Sequence, residues 1–162
     1  MKVLFIRHAT AADKAGFGGS DLDRPLTDDG KNSAKRMFET LARLYKGPMT
    51  VFSSQALRAR ETAEIFCKCF HVPGPLQTEL LNPGSEFQDF RKLVSTVQKE
   101  TEFLVVVGHE PDFSHILGNV VADGFLRIDV QKASCVEVEI NSLCKGELTL
   151  VLTPKTLEKM QR

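Results

Sequence analysis

The sequence Val3-Leu4-Phe5-Ile6-Arg7-His8 is a short apolar run that ends in a guanidinium and an imidazole. A continuous apolar run of this length is typical of a strand buried on both faces of a sheet. The pattern recurs at Phe103-Leu104-Val105-Val106-Val107-Gly108-His109, where a second apolar strand is followed by another histidine. Ligands bind beyond the carboxyl ends of parallel strands. We therefore expect His8 and His109 to share one site.

Helical spacing of apolar residues predicts helices between these two strands. The first helix follows an N-cap at Thr27 and ends at Gly47-Pro48, with Leu44 in its buried stripe. A second helix is predicted from Gln55 to about Phe70, with Ser54 as its N-cap. A short strand at residues 50–53 precedes it.

The second half of the chain continues this alternation. Residues 76–81 predict a minor strand, and Ser85-x-x-Gln88 predicts a capping box that opens a helix. A short helix after His109 is closed by Gly124. Alternating side chains over 135–140 and 148–152 predict two antiparallel strands.

Alternating strands and helices indicate an α/β fold with a mainly parallel sheet and helices on both faces. The expected architecture is three layers, α/β/α, with an antiparallel edge formed by the last two strands. Since the chain contains no linker, repeat or low-complexity segment, we expect residues 1–162 to form a single domain.

Composition excludes several classes of function. The chain has 21 basic and 21 acidic residues, so charge alone predicts binding neither to nucleic acid nor to a membrane surface. No signal peptide or long apolar run is present, which predicts a cytoplasmic protein. Reduced thiols are expected in that compartment for the four cysteines, Cys67, Cys69, Cys135 and Cys144.

The residues at the strand ends are suited to phosphoryl transfer. A neutral imidazole such as His8 can attack phosphorus and form a phosphohistidine. Arg7 and Arg58 can contact phosphoryl oxygens in a bidentate way, with His109 as a further donor. Arg58 lies in or next to the first turn of the second predicted helix, where anions are favoured. This chemistry requires no metal or cofactor.

Other polar residues admit simpler interpretations. His71, which follows a helix and precedes Pro73, is interpreted as a cap or surface residue, and His115 as a residue on a helix face. Arg24 ends a polar loop. It either reaches the phosphate or pairs with Asp21 or Asp23.

Four motifs follow one another in order along the chain. They are Leu4-Phe5-Ile6-Arg7-His8-Ala9, Asp21-Leu22-Asp23-Arg24-Pro25-Leu26-Thr27, Ser53-Ser54 with Arg58-Ala59-Arg60-Glu61-Thr62-Ala63, and Val107-Gly108-His109-Glu110-Pro111. Together they resemble the motifs of the histidine phosphatase (phosphoglycerate-mutase-like) superfamily, and most closely those of its small SixA-like phosphohistidine phosphatases. The resemblance implies a phosphoglycerate-mutase-like fold, with His8 as nucleophile, Arg7 and Arg58 binding phosphate, and His109 completing the pocket.

The sequence leaves the identity of the general acid open. Glu110 directly follows the second histidine, as the donor does in the superfamily's acid phosphatases, while Asp21 and Glu79 are the other candidates. The chain also departs from the superfamily's pattern: Ala9 replaces a frequent glycine, and Ser54 replaces a frequent proline. If position 9 required positive φ, alanine there would cost about 1 kcal/mol.

The short stretch between Arg58 and His109 leaves no room for an inserted lid, which predicts an open site. An open site admits a phosphorylated side chain of another protein, such as a phosphotransfer domain, so protein phosphohistidine is the preferred substrate. A phosphomonoesterase acting on a small metabolite or phosphopeptide is the first alternative. A catalytically silent phosphoryl-binding domain is the second.

Overall fold

The computed structural model describes residues 1–160 and contains one mixed six-stranded sheet. The strand order is β3-β2-β4-β1-β5-β6, in which the first four strands are parallel and the last two antiparallel. The strands are β1 Lys2–Arg7, β2 Met49–Ser54, β3 Leu76–Thr78, β4 Phe103–Gly108, β5 Cys135–Ile140 and β6 Gly146–Leu152. The helices are α1 Asp28–Leu44, α2 Leu57–Phe70, α3 Phe87–Ser95, α4 Asp112–Val121 and α5 Pro154–Met160.

The two apolar runs that end in histidine are adjacent parallel strands. Lys2 pairs with Phe103, and the register continues to Arg7 opposite Gly108. The amide of His8 also donates to the carbonyl of Gly108, at 3.0 Å. Strands β1 and β4 therefore end at the same edge of the sheet, as the sequence predicts.

Helices cover both faces of the sheet, which confirms the three-layer α/β/α prediction with its antiparallel edge. Successive side chains of a strand point to opposite faces. Leu4 and Ile6 of β1 accordingly pack in the core beneath α1, α2 and α5, whereas Val3 and Phe5 pack beneath α3 and α4. Covering both faces explains why β1 and β4 are continuously apolar.

The prediction of Ser54 as the N-cap of α2 is wrong. Ser54 is the last residue of β2 and pairs with Thr78 of β3, and the helix begins two residues later than predicted, at Leu57, after an N-cap at Ala56. The hydroxyl of Ser54 does accept a hydrogen bond from the amide of Ala56, at 3.2 Å. Pairing with β3, however, keeps its backbone in the sheet.

Two further helix predictions require correction. The capping box of α3 lies one residue later than Ser85-x-x-Gln88, since Glu86 is the N-cap and its amide donates to the carboxylate of Asp89 at 3.1 Å. Leu44 is 63% exposed rather than part of the buried stripe of α1. Tyr45, the C-cap residue, belongs to the same predicted repeat and is buried as expected, with its ring 5.5 Å from that of Phe103.

Local polar contacts also explain where later elements differ from the predictions. The predicted strand 76–81 ends at Thr78, whose hydroxyl accepts from the amide of Leu80 and caps a 3₁₀ turn. Glu137 of β5 is buried. Its carboxylate is compensated there, since Thr149 donates to it and the ammonium of Lys2 lies 3.4 Å away. Helix α5 was not predicted.

All four cysteines are free thiols. Among residues 1–160, no helix has both the length and the apolar character needed to cross a bilayer.

Candidate active site

One pocket of about 350 Å³ at the carboxyl ends of β1 and β4 brings the candidate residues together. The rings of His8 and His109 lie 5.3 Å apart. Glu79 is exposed at the end of β3 and is not among the lining residues. The lining consists of Arg7, His8, Lys14, Asp21, Arg24, Arg58, Pro83, His109, Glu110 and Lys132.

His8 is held as a neutral imidazole. Its Nδ1 lies 2.7 Å from the carbonyl oxygen of Ala9, and since a carbonyl only accepts, Nδ1 carries the proton. Burial is the main cause that lowers the pKa of His8 to about 4, and nearby Arg58 and Arg7 lower it further. Nε2 therefore keeps its lone pair at neutral pH, as a nucleophile toward phosphorus requires.

His109 is oriented by Ser54. The single proton of the Ser54 hydroxyl goes to Oδ1 of Asn82, at 2.9 Å, so Ser54 accepts from Nε2 of His109, also at 2.9 Å. Nδ1 of His109 then faces a guanidinium nitrogen of Arg58 at 3.4 Å. Burial first, and then His8 and Arg58, lowers the pKa of His109 to about 3. His109 is thus a neutral acceptor toward Arg58, and it becomes a second donor only when a bound anion favours its protonation.

The substitution Ser54→Ala is expected to lower kcat/KM by up to about tenfold, because one hydrogen bond that orients His109 is lost. Ser53 offers a matched control, since its hydroxyl is equally buried but has no partner in the described chain. Steady-state kinetics and thermal melting of both variants test this role. Equal activity of Ser54→Ala and Ser53→Ala would contradict it.

Arg58 is the second residue of α2 and is almost fully buried. Its terminal nitrogens donate to the backbone oxygen of Asp21 at 2.6 Å and to its carboxylate at 3.0 Å. Arg24 binds the same carboxylate at 3.2 Å and the carbonyl of Ala12 at 2.7 Å. Arg24 thus pairs with Asp21, one of the alternatives that the sequence left open, and it also lines the pocket.

Arg7 and Arg58 each have a spare donor. A terminal nitrogen of Arg7 donates to the carbonyl of Val130 at 2.9 Å. The Nε atoms of both arginines are buried and have no partner among residues 1–160. A buried donor without a partner costs roughly 1–3 kcal/mol. Both arginines also line the same pocket, and two guanidinium groups there fit a site for an anion.

The candidate acids are in contrasting environments. Burial raises the pKa of Glu110, although the amide and hydroxyl of Ser114 bind its carboxylate and oppose the shift. For Asp21 burial acts in the same direction, but the cations Arg58 and Arg24 outweigh it and hold the pKa below its usual value. The surroundings of Glu110 therefore favour its protonated form more than usual, whereas those of Asp21 favour the ionised form.

The departure at position 9 causes no strain. Ala9 is not among the residues with positive φ, so a glycine is not needed there. Its amide donates to the hydroxyl of Thr62 at 3.0 Å, and that hydroxyl donates to the carbonyl of Arg58 at 2.7 Å. This bridge joins α2 to the strand that carries His8.

Sequence reasoning missed Lys14 and Lys132 as pocket residues and Ser54 as a partner of His109. That reasoning interpreted Ser54 as a helix N-cap and as a departure from the superfamily's pattern, not as a partner of His109. His71 and His115 lie elsewhere, as expected: His71 is the left-handed C-cap of α2, and His115 is exposed on α4.

Comparison with known proteins places this geometry in context. Residues 3–81 match the family model described as histidine phosphatase superfamily (branch 1). An uncharacterised protein of Picosynechococcus sp. (strain PCC 7002) is 30% identical over 97% of this chain and 99% of its own length.

Solved structures share the fold. The protein histidine phosphatase SixA in complex with tungstate has a TM-score of 0.86 and 21% identity, over 97% of this chain and 99% of that one. The Agrobacterium tumefaciens protein assigned as phosphohistidine phosphatase SixA has a TM-score of 0.78 and 22% identity, over 94% and 97%. An Escherichia coli protein assigned as an α-ribazole-5′-phosphate phosphatase has a TM-score of 0.71 and 15% identity, over 95% and 97%.

Proposed function

The chain belongs to the histidine phosphatase superfamily and is a hydrolase of phosphoryl groups, and from this premise we propose that it removes the phosphoryl group from a protein phosphohistidine. The observation that carries the proposal is the neutral His8, whose Nδ1 proton is bound by the Ala9 carbonyl within a pocket of cations. The fold shared with SixA, a protein histidine phosphatase, supports this substrate class.

The reaction has two displacements. In the first, Nε2 of His8 forms a bond to phosphorus while the bond from phosphorus to the substrate nitrogen breaks. The electron pair stays with the leaving imidazole, which takes up a proton. In the second, the oxygen of water forms a bond to phosphorus while the bond from Nε2 of His8 to phosphorus breaks. The electron pair of that bond returns to Nε2, a proton of the water passes to solvent, and inorganic phosphate leaves.

The pocket stabilises the phosphoryl charge in both displacements. Arg7 and Arg58, which line the pocket, supply guanidinium donors. His109 adds a donor when the bound phosphoryl dianion raises its lowered pKa. Asp21, kept ionised by Arg58 and Arg24, holds the Arg58 guanidinium in position.

The segment between Arg58 and His109 bears on the size of the substrate that the pocket admits. Helix α2, strand β3, one 3₁₀ turn and α3 account for most of this stretch. No inserted element in it encloses a small metabolite, so a histidine on the surface of another protein can approach.

A phosphate monoester is the second candidate substrate, and Glu110 is the observation that favours it. Its raised pKa suits a general acid, which an alkyl ester needs more than a phosphohistidine does. The Escherichia coli neighbour assigned as an α-ribazole-5′-phosphate phosphatase points the same way.

The substitution Glu110→Gln distinguishes the two substrates. We expect kcat/KM for an alkyl phosphate to fall by about 10²-fold or more. The loss on a phosphohistidine protein should be below tenfold, because the leaving imidazole needs little help from an acid. Glu79→Gln is the control for an exposed carboxylate. If Asp21→Asn shows the selective loss instead, the acid is Asp21.

The proposed function is tested by incubating the purified protein, with a chelator present, with a phosphotransfer domain phosphorylated on histidine, and separately with alkyl and aryl phosphates. Release of phosphate from the phosphohistidine protein at a higher kcat/KM than from either ester is the expected result. Turnover of esters alone overturns the substrate class. Binding of tungstate without any turnover leaves a silent phosphoryl-binding domain.

A further inference from the structure

We propose that a groove beside the catalytic pocket docks an acidic segment of the phosphohistidine-bearing protein. This inference rests on the proposed function and adds the surface that selects its substrate. The groove, called here the lysine groove, encloses about 370 Å³ and is lined by Arg7, Ser33, Asp129, Gln131, Lys132, Pro154 and Lys155.

The lysine groove adjoins the catalytic pocket. Arg7 and Lys132 line both cavities. A polypeptide whose phosphohistidine enters the pocket can therefore lay its neighbouring residues along the groove. Lys155, on α5, lines only the groove, so a group that reaches it lies outside the catalytic pocket.

Charge complementarity identifies the occupant. Three cations, Arg7, Lys132 and Lys155, face a single carboxylate, that of Asp129. That carboxylate already accepts from the side chain of Gln131, at 2.9 Å. Neither lysine forms an ion pair within the described residues, and the whole chain has no net charge, so the positive excess is local. Such a patch attracts carboxylates and steers their approach.

The backbone holds Lys132 in place. A turn joins the carbonyl of Gln131 to the amide of Ser134 at 3.0 Å, and within it Ala133 has a φ of 58°. Alanine in this left-handed region costs about 1–2 kcal/mol. The amide of Ala133 donates to the carbonyl of Arg7 at 3.1 Å, which ties the turn to the strand that carries the nucleophile. Strain held by such contacts is typical of a functional position.

The test compares Lys155→Glu with the wild-type protein on two substrates. One is a phosphotransfer domain phosphorylated on histidine, with carboxylates beside that histidine; the other is an aryl phosphate, which fills only the catalytic pocket. On the protein substrate, kcat/KM should fall at least tenfold in Lys155→Glu, mainly through a higher KM. Added salt should also lower kcat/KM less steeply in the variant than in the wild-type protein, because screening has less attraction to remove. Since the value for the aryl phosphate should not change, the ratio of kcat/KM for the protein substrate to kcat/KM for the aryl phosphate should fall by the same factor.

Lys99→Glu is the matched control. It makes the same change in net charge at an exposed residue before β4, at the opposite end of the sheet from the pocket. Lys155→Ala is a second variant and should show a smaller loss, while thermal melting verifies that each variant is folded.

The outcomes separate the two proposals. If the wild-type protein hydrolyses no phosphohistidine protein, the proposed function fails. If it does and Lys155→Glu matches Lys99→Glu, the docking groove is overturned while the function stands. An equal loss of Lys155→Glu on both substrates also overturns docking, since Lys155 would then act on the catalytic pocket itself.

Discussion

Replacing His8 with alanine is expected to lower kcat/KM on every phosphoryl substrate by at least about 10⁴-fold, because no other group in the pocket can take the covalent intermediate. His109 is close, but its Nε2 proton is bound to Ser54 and its Nδ1 faces Arg58. The wild-type protein, quenched during turnover of a ³²P-labelled substrate, should carry an acid-labile phosphoryl group. His8→Ala should carry none.

His115→Ala is the matched control, because His115 is exposed on α4 and lines no part of the pocket. Its activity should remain within twofold of the wild-type value. Labelling of the His8→Ala protein would show that the intermediate forms on another residue.

The burial of His8 adds a pH dependence to the same prediction. Since burial lowers its pKa to about 4, His8 stays neutral at pH 5, where an ordinary histidine is mostly protonated. The nucleophile itself should therefore remain competent as the pH falls from 7 to 5 and be lost only near pH 4. Labelling in a rapid quench with an aryl phosphate measures this directly, and a midpoint near 6.5 would contradict it.

The sequence predicted the catalytic pocket because strands carry their own signal. Two continuous apolar runs, each ending in histidine, require buried parallel strands, and parallel strands end at the same edge of a sheet. The position of Arg58 followed equally from the start of α2. All seven site residues predicted from motifs line one pocket, although their chemical roles stay proposals.

What the sequence did not predict depends on contacts between distant residues. Ser54, Asn82 and His109 meet only because β2, the 3₁₀ turn after β3, and β4 end side by side. Lys132 lies in an irregular segment whose position is set by hydrogen bonds from Ala133 to β1. Neither contact produces a periodic pattern in the sequence, so secondary-structure propensity and residue spacing could not predict them.

The difference between the surroundings of Glu110 and Asp21 also required three dimensions. Both are acidic residues close to a motif, and nothing in their spacing separates them. The structure separates them through their surroundings, since the guanidinium groups of Arg58 and Arg24 lie against Asp21, whereas burial dominates at Glu110 despite the opposing hydrogen bonds from Ser114. Their pKa values move in opposite directions for that reason.

The substitution Arg58→Ala is expected to lower kcat/KM by about 10²- to 10³-fold, the usual cost of removing a fixed donor for developing charge. Arg58 serves the pocket through its own donors and through its contact with His109. Tungstate, a phosphate-like oxyanion, should bind correspondingly more weakly in a calorimetric titration. Arg60→Ala, on the same helix but paired with Glu64, is the control and should change neither value by more than twofold.

The conservative variant Arg58→Lys distinguishes charge from geometry. A lysine restores the positive charge but offers a single ammonium, which cannot bind Asp21 and a phosphoryl oxygen as a planar guanidinium does. We therefore expect Arg58→Lys to recover no more than about tenfold of the loss. Asp21→Asn leaves the arginine in place and weakens only its anchor, so its loss should be smaller than that of Arg58→Ala. Full recovery in Arg58→Lys would mean that Arg58 acts as a simple point charge and that the contacts with Asp21 contribute nothing to catalysis.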